Sequence, residues 1–174
     1  MDPTTVASLF SVTLLIGLAG GFFAFLWART RPRLLALAPA IAGLVAVSAT
    51  LGSLYFSERA GFEPCELCWY QRIAMYPLAV LLPLGAARRD RGILSYAFVL
   101  AAIGFVIASY HMYVQWFPET STTCSLEDSC SVTWVEGLGV FSIPQMAAMA
   151  FFLIMMLAVA ATFDEDAPDV PVPL

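Results

Sequence analysis

The chain reads as long apolar stretches separated by short polar ones, running approximately Val6 to Trp27, Leu34 to Phe56, Trp69 to Ala87, Ile93 to Tyr113 and Gly139 to Phe163. Each is close to the roughly 20 residues of helix needed to cross a hydrocarbon core about 30 Å thick. The pattern predicts an all-α integral membrane protein of five helices. Only Arg72 and His111 stand out as ionisable groups inside these stretches. The segment Met1 to Thr5 carries Asp2 and no base. A cleaved signal peptide would start on basic residues, so the first stretch is expected to stay as a helix.

Composition sharpens this picture. The chain is 60% hydrophobic and 12% charged, with a mean hydropathy of +0.82, which excludes a disordered tail, a collagen and a small secreted disulfide scaffold. The net charge of -5 hides an uneven distribution. All eight basic residues are arginines, and Asp164, Glu165, Asp166 and Asp169 crowd an acidic C-terminal tail expected to be disordered. No basic patch suited to nucleic acid remains. Arg29, Arg31 and Arg33 fall between the first and second stretches, and Arg88, Arg89 and Arg91 between the third and fourth. Short cytoplasmic loops concentrate arginine, so both connections are expected in the cytoplasm, with the N-terminus outside and the C-terminus inside the cell membrane. The external loops are then Ser57 to Cys68 and Val114 to Leu138, and they hold all four cysteines. On the oxidising side of a membrane, cysteines can form and keep disulfides.

Cys65 and Cys68 form a Cys-x-x-Cys where an external loop turns into the third helix, with Pro64 just ahead of the helix start. A thiol at a helix N-terminus feels the positive end of the macrodipole, which favours its thiolate. Arg72 lies four residues after Cys68, on the same helix face, so Cys68 is expected to be the better stabilised thiolate, while Glu66 works against it. An arginine this near a helix start either snorkels to the interface or serves the thiols, and the neighbouring Cys-x-x-Cys favours the second. Cys124 and Cys130 are separated by five residues in a polar loop. That loop can close a disulfide but offers little packing to protect it, so the bridge is expected to be labile. A zinc site made from all four cysteines has the wrong second spacing, and no metal is expected. Inert disulfides stapling two loops remain an alternative. His111, the single histidine, shares the membrane level of Arg72 and is either an interfacial polar residue or a cofactor contact.

The run Cys65-Glu66-Leu67-Cys68-Trp69-Tyr70-Gln71-Arg72 resembles the signature of the disulfide bond formation protein B (DsbB) family, in its short-loop BdbC-type branch. The segment Leu51 to Glu58, the segment His111 to Gln115 and a second cysteine pair before the last helix support the likeness. It covers about Leu34 to Phe163. The chain then divides into an extra N-terminal transmembrane helix with a basic loop (1–33), a four-helix transmembrane bundle core (34–163) and the acidic tail (164–174). The resemblance implies an integral-membrane thiol:quinone oxidoreductase. In it Cys65 and Cys68 pass electrons to a quinone, ubiquinone or menaquinone, with Arg72 beside the quinone and His111 near it. Cys124 and Cys130 take those electrons from a DsbA-like thioredoxin-fold thiol oxidase that oxidises exported proteins. Cys124 is the position expected to meet the partner.

Elementary redox chemistry points the same way. A disulfide relay needs two pairs that can meet and a terminal acceptor. A lipid-soluble acceptor requires its thiol at the membrane boundary. Trp69, Tyr70 and Tyr76 either wall the acceptor ring or belong to the aromatic belt. Two alternatives stand beside this reading. A vitamin K epoxide reductase-like enzyme has the two cysteine pairs in the opposite order, and a non-catalytic scaffold would hold structural disulfides.

Overall fold

The structure, a computed structural model, describes residues 2–28, 37–118, 130–134 and 136–162, with backbone alone for 21–28 and 162. Five α-helices follow in order: α1 (Pro3–Ala28), α2 (Ala38–Leu54), α3 (Glu66–Arg88), α4 (Ile93–Trp116) and α5 (Ile143–Thr162). A π-helical turn, Tyr55–Arg59, prolongs α2. No strand occurs among the described residues, only an isolated bridge between Gly137 and Phe141.

Among the described residues four segments are long and apolar enough to cross a membrane: the first part of α1, α2 with its π turn, α4, and nearly all of α5. The 23-residue α3 is more polar because it carries Glu66, Gln71, Arg72, Arg88, Pro77 and Pro83. At 1.5 Å per residue it is about 35 Å long, enough to run beside the others across the core. In the bundle α2 packs on α3, α3 on α4, α4 on α5, and α5 closes on α2, while α1 lies outside this ring against α5. The expected four-helix core with an added N-terminal helix is therefore the architecture found. The tail 164–174 and the arginines of 29–33 lie outside the described residues.

Lipid tails give apolar side chains no reason to leave them, so helices in a membrane associate through close contact at small residues. On α4, Ala97, Ala101, Gly104 and Ala108 form such a stripe, all buried. A Cβ at Gly104 would lie 2.3 Å from the ring of Phe151 on α5, so glycine is what admits that ring. The outer helix is held differently. Gly137, in the turn before α5, lies so close to α1 that a Cβ there would meet Ser11 Oγ at 2.2 Å and the Ala7 carbonyl oxygen at 2.6 Å. The Leu138 N–H donates to Ser8 Oγ at 3.1 Å.

Helix ends decide what meets where. Cys65, in extended conformation, is the N-cap of α3. At the start of α5 the Ser142 N–H donates to Gln145 Oε1 at 2.8 Å, half of a capping box. The Ser142 hydroxyl instead donates to Gln115 Oε1 at 2.9 Å, tying the end of α4 to the start of α5. The start of α3, the end of α4 and the approach to α5 thus come together at one end of the bundle. Arg88 and Arg89 lie at the other end, where α3 finishes.

Candidate active site

Cys65 and Cys68 are free thiols, half-buried, with sulfurs 3.1 Å apart in a shared hydrogen bond. Cys65 Sγ also lies 3.7 Å from His111 Nε2. That nitrogen is 3.1 Å from the carbonyl oxygen of Cys130, which can only accept, so Nε2 carries a proton. On the other side of the ring, Gln71 Nε2 sits 2.9 Å from His111 Nδ1 and fixes the imidazole plane. His111 is 2% exposed and Gln71 7%, so this chain of bonds is out of solvent. One N–H of His111 therefore faces both the Cys65 sulfur and the backbone of Cys130.

The thiol of Cys65 is lowered from the ordinary 9.0 to about 4. Hydrogen bonding from Cys68 contributes most, His111 adds a hydrogen bond and its charge, the Cys68 backbone N–H adds least, and burial opposes them. This reverses the expectation that Cys68 is the better stabilised thiolate. Arg72 does not bond to either sulfur. Its Nε donates to Ser53 Oγ at 2.9 Å and its terminal nitrogen to the Ser53 carbonyl at 3.0 Å, and its guanidinium lies 5.0 Å from the centroid of the Trp69 ring. At 8% exposure it does not snorkel. Two bonds to α2 and a stacked indole hold it in place.

Cys130 is disulfide-bonded and 2% exposed, packed with Leu67 and Val114. The expectation of a pair with little packing around it is corrected at this cysteine, because its sulfur sits between α3 and α4. Cys124 lies outside the described residues. A zinc site using all four cysteines is incompatible with a bonded Cys130 sulfur. Cys65, Cys68 and His111 offer ligand atoms within 4.8 Å of one another, but Nε2 is already engaged by the Cys130 carbonyl.

Beneath the thiols a cavity opens among α1, α2, α3 and α5. Its α3 wall is Cys68, Gln71, Arg72, Met75 and Tyr76, spaced at i, i+3, i+4, i+7 and i+8, which is one helix face. The other walls are mostly apolar, with Phe56 on the π turn, Met146 and Phe151 on α5, and Phe10 of α1 set against Gly52. Phe62 stacks on Phe56 at 6.0 Å and on Trp134 at 5.3 Å, forming an aromatic edge to the opening. His111 does not line this cavity. It lines a smaller cleft with Cys65, Cys68, Cys130 and Trp134. Cys68 belongs to both.

The sequence-predicted residues thus fall into two groups around one dithiol: Arg72 on the cavity side, and His111 and Cys130 on the cleft side. Of the three aromatics considered as ring walls, only Tyr76 lines the cavity. Trp69 and Tyr70 are 51% and 42% exposed, Trp69 stacked under Arg72 and Tyr70 bonded to Glu66 at 3.0 Å. Sequence reasoning missed Ser53, Phe62 and Trp134, and it missed Gln71 as the partner of His111. None of these carries a charge, and each acts through a partner distant in the chain.

One end of the bundle thus brings together a dithiol, a buried histidine and a disulfide-bonded Cys130. Residues 32–161 match the family model "Disulfide bond formation protein DsbB", and the chain belongs to that family. It is 43% identical over 119 residues to "Probable disulfide formation protein C 2" of Bacillus anthracis, covering 68% of this chain and 85% of that protein. It is 42% identical over 115 residues to "Disulfide bond formation protein C" of Bacillus subtilis, covering 65% and 83%. A "Probable disulfide formation protein" of Deinococcus radiodurans is 42% identical over 127 residues, covering 67% and 83%. No solved structure matches the chain. The protein is a multi-pass membrane protein of disulfide bond formation, and α1 lies ahead of the residues that match the family model.

Proposed function

We propose that the protein is a thiol:quinone oxidoreductase that reoxidises a DsbA-like thioredoxin-fold partner. The carrying observation is that Cys68 lines both the large apolar cavity and the smaller cleft that holds Cys130 and His111. A dithiol in that position can take electrons on one side and give them up on the other.

The steps balance as follows. In this reading the partner's dithiol reduces the external pair, Cys124 and Cys130. The resulting dithiol reduces a Cys65–Cys68 disulfide by thiolate attack. His111 holds its N–H at Cys65 and steadies the negative sulfur formed there. Cys65 and Cys68 then close again, releasing two electrons and two protons. A quinone held against Arg72 and the apolar walls would be the acceptor for those two electrons and two protons. The residues present fit such a group in their chemistry: the cavity walls are mostly apolar, with a buried guanidinium at one side and a buried Tyr76 hydroxyl that has no partner among the described residues. Arg72 would stabilise the negative oxygen as electrons arrive.

The test is reduction of a short-tailed quinone by the reduced partner in the presence of purified protein, alongside a lipid extract of the purified protein scanned for quinone absorbance. Quinone in the extract and turnover that needs Cys65 and Cys68 are expected. Arg72→Met is expected to lose about 1–3 kcal/mol of transition-state stabilisation at normal expression. Undiminished rate and apparent affinity in that variant would move the acceptor away from Arg72.

A further inference from the structure

We propose that the Tyr76 hydroxyl is the hydrogen-bond donor to the second oxygen of a para-quinone held in the cavity; this deepens the proposed function and rests on it. Tyr76 lines the cavity. Its oxygen is buried and has no hydrogen-bond partner among the described residues. An unpaired hydroxyl in an apolar bundle carries the full cost of its lost hydration, so native structures rarely keep one without use. Thr50 Oγ1 is unpartnered too, but Thr50 does not line the cavity.

Position gives the hydroxyl its partner. Cys68, Arg72 and Tyr76 follow one another at four-residue steps along one face of α3. Each step advances about 6 Å along the helix, comparable to the separation of the two oxygens of a para-quinone. A ring lying along this face with one oxygen by Cys68 and Arg72 presents its other oxygen toward the level of Tyr76. A phenol suits both redox forms of the ligand: it donates to a quinone oxygen, which only accepts, and it can accept from a quinol hydroxyl. Ser53 is already engaged by Arg72, so it does not compete for this role.

The experiment compares the full-length protein with Tyr76→Phe, which removes only the hydroxyl. A short-tailed benzoquinone and a short-tailed naphthoquinone serve as separate probes. Binding affinity, the KM-against-kcat split and the thermal midpoint without added quinone are measured. Two changes of opposite sign are expected. Affinity for at least one probe falls about tenfold, with the effect mainly in KM. The quinone-free midpoint rises by roughly 2–4 °C, because an unpaired buried hydroxyl is gone. Unchanged affinity for both probes overturns the assignment, and so does a midpoint that falls together with affinity, which is the result of a merely structural role. Failure of the unsubstituted protein to bind either probe overturns the thiol:quinone reading as well.

Discussion

At the scale of single residues, the site turns on which sulfur holds the negative charge. With Cys65 lowered to about 4, it is a thiolate across the physiological range and Cys68 donates to it. Alkylation of the reduced protein, followed at each cysteine by mass spectrometry, is therefore expected to stay fast at Cys65 well below neutral pH and to fall with a midpoint near 4. Cys68→Ala should raise that midpoint most and His111→Phe less, in the order of their contributions. The sign for stability follows from the lowered value. The reduced protein has its full gain from this group above pH 9.0 and loses it progressively as pH falls toward about 4. A midpoint near that of a free thiol would contradict the geometry. The chemical types at this site were legible in the sequence, since Cys-x-x-Cys, an intramembrane arginine and a lone histidine are rare in apolar helices. Their pairing was not. Arg72 follows Cys68 by one turn, yet its bonds go to Ser53, and Cys65 finds its hydrogen-bond partner, His111, on α4.

At the scale of elements, helix existence followed from lipid thickness, whereas helix ends followed from local chemistry that hydropathy does not register. The fifth helix begins at Ile143 and not near Gly139 because Leu138 and Gly139 adopt φ of 57° and 71°, making a turn that α1 grips. The π-helical turn Tyr55–Arg59 was likewise invisible in a run of apolar and polar residues, although it carries Phe56 and Ser57 to the cavity wall. The attachment of α1 can be tested at its seam. Gly137→Ala places a methyl against both Ser11 Oγ and the Ala7 carbonyl, and the carbonyl cannot rotate away. It is expected to cost about 1–3 kcal/mol, as overpacking does. Gly20→Ala, with nothing within 4 Å of the added methyl, is the matched control and should be neutral. Equal thermal midpoints for the two variants would mean that α1 is not seated on the 137–141 turn.

For the whole molecule, the bundle has one redox end and one basic end, and their separation fixes how it must sit. Cys65, Cys68, His111 and Cys130 gather where α3 starts and α4 finishes, while Arg88 and Arg89 lie a helix length away, exposed where α3 ends. Short loops rich in arginine stay on the cytoplasmic side, and a disulfide at Cys130 persists on the oxidising side. Both rules select the same orientation, although they rest on unrelated physics, the charge bias of membrane insertion and the redox poise of compartments. The expected topology therefore has the cysteine end outside, the Arg88–Arg89 end inside and, with five helices, the start of α1 outside. A membrane-impermeant maleimide applied to intact cells after mild reduction should label the cysteines at this end, and a single cysteine introduced at exposed Arg89 should react only after the membrane is opened. The reverse pattern would place the dithiol in a reducing compartment. Electrons could not then flow from exported thiols into the membrane, and the oxidase function would fail with the topology.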